Sequence, residues 1–148
     1  MSLLSQLFLF KFCVLSANIQ ISISEPNDAN IIKCFAFKTN ENLKFTEAIL
    51  TQGKWVKSAT DFNETSSPIG KEVLVDRNTE ICSAGYKPDQ SGTVGHVTLE
   101  DANDSVITLY WTDTASEGFN YNITKTKKIE VKVLESTYQL IKFNIQKL

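Results

Sequence analysis

The chain has 148 residues, 42% of them apolar, which is enough for one domain with a continuous core and no need of a metal or disulfide staple. Its 15 Lys and Arg against 17 Asp and Glu give a net charge of −2, which excludes the basic face that nucleic-acid binding requires. Cys13, Cys34 and Cys82 form no Cys-x-x-Cys pair, and the single His96 cannot complete a zinc set with them, so a metal centre is not expected. A Cys34–Cys82 disulfide and buried free thiols are both open readings.

In chain order, residues 1–17 (MSLLSQLFLFKFCVLSA) are apolar and end in small residues, as a signal peptide does. They lack a charged start, Gln6 and Lys11 interrupt the run, and it is too short and broken to span a bilayer. A cleaved leader and a retained apolar extension therefore both stand. Residues 18–148 read as one domain. No helical period runs for long without a breaker, and alternation at period two recurs instead. It marks strands at Ile19–Ile23, Val73–Val75, His96–Leu99, Val106–Trp111, Tyr121–Ile123, Ile129–Val133 and Leu140–Ile145. Two more are expected at Ile32–Phe37 and Phe45–Leu50. Turn-formers separate them at Glu25–Asp28, Asn40–Asn42, Gly85–Gly92 and Asp101–Asp104, and the polar stretch Ser58–Gly70 reads as a long surface loop. Lys125, Lys127 and Lys128 suit a solvated hairpin turn, and three Asn-x-Ser/Thr sequons begin at Asn63, Asn103 and Asn122. Short strands at this spacing indicate an all-β, single-domain antiparallel β-sandwich, with a barrel as the other closed form.

Catalytic chemistry is not nominated by any residue. His96 sits in an alternating run, where the solvent face of a strand explains it more simply than general-base work. Asp101, Asp104, Asp113 and Glu117 lie in turn-like settings and give no sign of paired acid and base. No phosphate loop, zinc signature or calcium loop is present, and no cofactor is expected. The aromatics carry more information. Trp55, Tyr86, Tyr110, Trp111, Phe119 and Tyr121 fall at or near predicted strand ends and loops, where a ring sinks into a membrane interface and its polar edge stays wet. Tyr110 and Trp111 are adjacent in a strand and so point to opposite faces, one to the core and one outward. The residues alone do not say which.

From Phe45 to Asn122 the order of features resembles the aegerolysin family of small β-sandwich proteins. Leu50-Thr51-Gln52-Gly53-Lys54-Trp55 is similar to the family's strand and Trp-Gly-Lys turn, and Ile81-Cys82-Ser83-Ala84-Gly85-Tyr86 to its Ala-Cys-Gly-Arg stretch. Ser91-Gly92-Thr93-Val94-Gly95 resembles its Gly-Thr-x-Gly turn, Leu109-Tyr110-Trp111 its Tyr-Trp strand end, and Gly118-Phe119-Asn120 its Gly-x-x-Asn loop. Departures occur at Gln52, where sphingolipid binders carry Trp, at Ser91, at Thr112, and at Thr114 and Ala115, where a Cys-Pro-Trp segment often lies. The first thirty or so residues have no counterpart.

The resemblance implies a non-enzymatic protein that binds membrane lipids, in particular sphingolipid and sterol membranes. In some members a larger perforin-like partner supplies the pore. Such a protein would be secreted or peripherally membrane-associated, a cytoplasmic location also staying open. Lys54, Trp55, Tyr86, Tyr110, Trp111, Phe119 and Tyr121 would form the lipid contact, and the backbone freed at Gly85, Gly92, Thr93 and Gly95 would meet a headgroup phosphate. The competing reading is a secreted glycan- or protein-binding β-sandwich without lytic activity.

Overall fold

The computed structural model describes residues 30–86 and 92–148; the leader or apolar extension at 1–17 and the strand expected at Ile19–Ile23 lie outside the described residues. Among the described residues ten strands follow one another: β1 (Asn30–Thr39), β2 (Leu43–Gln52), β3 (Lys54–Val56), β4 (Glu72–Val73), β5 (Thr79–Tyr86), β6 (Thr93–Glu100), β7 (Val106–Thr114), β8 (Gly118–Lys125), β9 (Ile129–Ser136) and β10 (Leu140–Lys147). They form two five-stranded sheets, ordered β9-β10-β1-β5-β3 and β4-β2-β6-β7-β8. The all-β sandwich expected from alternation is thus the fold.

Residues of both inner faces build the core, among them Phe35, Phe37, Phe45, Leu99, Leu109, Trp111, Ile141 and Phe143. β7 shows why alternation works. Ile107, Leu109, Trp111 and Asp113 are buried, while Val106, Thr108, Tyr110 and Thr112 take the other face. β1 differs, because Ile31 to Phe37 are buried on both faces. Its outer face carries Ile32 and Cys34, packed with Val56, Cys82 and Ala84 beneath Ala59 and Phe62 of the 57–71 loop. That loop is the long surface connection expected from sequence, and it is pinned by Lys57 N–H donating to Asn63 and Thr65 N–H donating to Trp55.

Cys34 and Cys82 are joined as a disulfide between β1 and β5, which settles the choice left by the sequence. At a sequence separation of 48, cross-linking constrains the unfolded chain by about 4 kcal/mol in the chain-entropy description.

One pairing lies outside what alternation predicts, and two expectations need correction. β1 and β10 pair in parallel, Leu140 opposite Cys34 through Ile145 opposite Thr39, because the first and last described strands meet in mid-sheet with no hairpin between them. The turn at Lys125, Lys127 and Lys128 is not a hairpin: β8 and β9 belong to different sheets, so the chain crosses over there. Val73–Val75 is only a two-residue strand, since Asp76 has a positive φ of 66° and turns the chain.

The Asp101–Asp104 turn is as predicted, with the Asp101 carboxylate accepting from the amides of Asn103 at 2.7 Å and Ser105 at 2.9 Å. Burial raises the Asp101 carboxyl, but those hydrogen bonds and the Lys147 ammonium outweigh it and hold it down at about 2. At the opposite end of β7, Asp113 and Glu117 are separated from Asp101 and Asp104 by the length of the strand, so the four carboxylates do not converge.

Candidate functional site

The predicted site residues divide into three groups. The first is internal. Trp111 is only 2% exposed, its ring 4.8 Å from Phe35 and 6.1 Å from Trp55, and its Nε1–H donates to Thr93 Oγ1 at 3.2 Å. Thr93 is itself buried and shares a hydrogen bond with Ser83. Gly95 stands opposite Trp111 across β6 and β7, and a Cβ there would press on the indole and on the Ile49 carbonyl. Gly85 and Gly92 are equally enclosed: a Cβ on the first would strike the Gly92 carbonyl, and one on the second the Asp113 carbonyl. Trp111 and Thr93 are thus buried and Gly85, Gly92 and Gly95 closely enclosed, so in this structure their packing accounts for them. Close approach of backbone to backbone explains these glycines.

The second group lies on the outer face of the β4-β2-β6-β7-β8 sheet. Tyr110 is 46% exposed there, its ring 5.2 Å from His96. His96 is half-buried on the open sheet face, with Nε2 3.6 Å from Glu47. It occupies the strand-face position expected of it.

The third group sits at the margins. Phe119 and Tyr121 face inward from β8, stacked at 5.7 Å, with Tyr121 edge-on to Phe143 at 5.8 Å. Trp55 and Lys54 lie on β3, both half-buried. The side chain of Tyr86 is outside the described ones.

Beside Trp55 the fold opens a cleft of about 400 Å³. Its walls are Trp55, Lys57, the segment Thr65 to Ile69, Lys71, and Glu80 to Cys82 of β5. The 57–71 loop creates it by folding back along β3, with Val56 and Glu64 forming an isolated bridge. Its lining includes two lysines, three hydroxyl-bearing residues and one glutamate together with Trp55. Those groups suit a phosphorylated zwitterion, with lysines and hydroxyls for the phosphate and Glu80 for an amine. Only Trp55 of this set was nominated by the sequence. Lys57, Lys71 and Glu80 are separated in the chain and give no local motif.

Sequence reasoning also missed a buried ion pair. Lys33, at 1% exposure, reaches across the sandwich from β1 to Asp113 on β7, Nζ to Oδ2 3.3 Å. Its ammonium also donates to the Tyr138 carbonyl and lies 3.9 Å from the centroid of Phe119 and 4.5 Å from that of Tyr138. Burial pushes the Lys33 ammonium below its ordinary value, and the charge and hydrogen bonding of Asp113 oppose that shift.

Residues 30–137 match the family model described as Aegerolysin. The chain is an aegerolysin. No curated protein sequence matches it significantly. Among solved structures, this aegerolysin resembles IP-1A from Alcaligenes faecalis with a TM-score of 0.66 and 23% identity, over 79% of this chain and 91% of that one. It resembles RahU, solved in complex with a Tris molecule, with a TM-score of 0.66 and 18% identity, over 78% and 96% of the two chains. At these identities the likenesses establish the shared fold. Family membership carries a lipid-binding role for this aegerolysin. Among its described residues no helix is long and apolar enough to cross a membrane.

Proposed function

We propose that this aegerolysin binds the phosphorylated headgroup of a sphingolipid-type membrane lipid in the Trp55 cleft, as a binding protein and not an enzyme. The carrying observation is the cleft itself, whose volume of about 400 Å³ and mixed lysine, hydroxyl and indole lining suit such a headgroup. Ile69, 57% exposed at its rim, supplies an apolar side chain to the acyl boundary. Lys54 lies on the same strand as Trp55 and adds attraction to phosphate. Tyr110, Phe119 and Tyr121 stay in the proposal as secondary contacts on other faces. One small cleft and a few rings give weak binding per molecule, so affinity on a membrane rises by multivalency or through a partner. The family resemblance supports a larger perforin-like protein as that partner, recruited by a secreted, lipid-bound chain.

Co-sedimentation of the full chain with vesicles tests this reading. Phosphatidylcholine–cholesterol vesicles are compared with ones in which sphingomyelin or ceramide phosphoethanolamine replaces part of the phosphatidylcholine. Sphingolipid-dependent binding is expected, and Lys57→Glu with Lys71→Glu should weaken it at least tenfold, since each hydrogen bond to a charged group contributes about 1.5–3 kcal/mol. Binding unchanged by the double variant would move the headgroup elsewhere. Failure to bind any composition would pass the function to a glycan or protein ligand.

A further inference from the structure

The sandwich has four lateral edges, and they are not protected alike. A free sheet edge is a template for another strand, and folded proteins blunt it with short strands, bulges, charges or cover. The β3 edge is covered by residues 63–65, which return along it in hydrogen-bonding contact. The β4 edge is two residues long. The β9 edge carries Lys132 and a bulge between Val133 and Glu135. The β8 edge has none of these devices before its last residue, Lys125. Its eight residues pair with β7 in unbroken register from Lys125 opposite Ile107 to Gly118 opposite Thr114. It holds no proline, and no charge from Gly118 to Thr124. Among the described residues nothing pairs with its outer side.

We infer that β8 pairs antiparallel with β8 of a second copy of this chain, about a two-fold axis through Tyr121. The argument is self-complementarity. Opposed residues in an antiparallel pair lie on the same face, so the centre must keep inward residues opposite inward ones. Phe119, Tyr121 and Ile123 face inward, since their β7 partners Asp113, Trp111 and Leu109 are buried, and Asn120 and Asn122 face outward with Thr112 and Tyr110. Centring on Tyr121 sets Phe119 opposite Ile123, apolar on apolar, and Asn120 opposite Asn122, amide on amide. It also brings Glu117, in the turn just before β8, toward Lys125 at both ends of the ladder. Both are exposed, and neither has an ion-pair partner among the described residues. The neighbouring registers lose this match. Centring on Asn120 places Glu117 against Ile123, and centring on Asn122 places Phe119 against Lys125. Opposite charges and apolar pairs directly across a ladder are what stabilise it, and like charges there weaken it.

The register gives the test. The full chain is expressed in bacteria, so that Asn122 carries no glycan, and its mass is followed by light scattering and sedimentation over a concentration series. A concentration-dependent dimer is expected. Glu117→Lys alone and Lys125→Glu alone should each raise the dissociation constant roughly tenfold, because each places two like-charged pairs where attraction stood. The double variant Glu117→Lys/Lys125→Glu should restore the original value. Both sites are exposed, so far-ultraviolet circular dichroism should be unchanged throughout. A chain monomeric across the series overturns the inference, as does a dimer indifferent to the single variants or not restored by the swap.

Discussion

Replacing Trp111 with Ala separates a packing role from a lipid contact. The indole is 2% exposed, lies against Phe35 and Trp55, and donates its N–H to Thr93. Truncating a buried Trp costs about 3–5 kcal/mol, the larger values applying where neighbours cannot collapse into the space. Here Gly95 stands opposite with no side chain to move in, which places the expected loss near the top, about 4–5 kcal/mol. Against a net stability of about 5–15 kcal/mol that is a large share, and it corresponds to a fall in Tm of roughly 10–15 °C. Urea unfolding followed by far-ultraviolet circular dichroism measures it without relying on tryptophan fluorescence. Trp111→Phe keeps a ring but loses the hydrogen bond and some volume, and should cost about 1–2 kcal/mol. Vesicle binding per folded molecule should survive in the Phe variant, because Trp111 does not line the cleft. An unfolding midpoint untouched by Trp111→Ala, together with abolished vesicle binding, would refute the packing assignment and return the indole to the membrane.

Lys33→Met leaves the Asp113 carboxylate buried with no counter-charge and should cost about 3–5 kcal/mol in urea unfolding, whereas Lys33→Met/Asp113→Leu should recover most of that loss. A single variant as stable as the parent would show that the pair has no such role. The carboxyl of Asp101 is held below its ordinary value of 3.8, at about 2, so its stabilising contribution is present above pH 4 and disappears as pH falls toward 2. Asp101→Asn should flatten that part of the stability–pH curve; an unaltered slope would count against the turn as its source.

How much of this was readable beforehand depended on how local the signal is. Alternation located β6, β7, β8, β9 and β10, because side chains point to opposite faces at every step and the face toward the core must be apolar. Which of Tyr110 and Trp111 points inward was settled only by the structure: Trp111 keeps step with the buried Ile107 and Leu109, and Tyr110 with Thr108 and Thr112. The same phase puts Asp113 inside, and that of Phe35 and Phe37 puts Lys33 inside, yet a buried charge is intelligible only once its partner is known. β3 and β5 were not marked, the first because three residues are too few to show a period and the second because Gly85 reads as a turn.

The sequence by itself determined the sandwich class, the Asn40–Asn42 and Asp101–Asp104 turns, the long loop and the family, since each rests on neighbours in the chain or on a motif order. The tertiary structure alone decided the parallel β1–β10 pair, the Cys34–Cys82 disulfide, the Lys33–Asp113 ion pair and the cleft that gathers Lys57, Lys71 and Glu80 beside Trp55. Each of these joins residues distant in sequence, and no periodicity of one strand encodes which face of another it will meet.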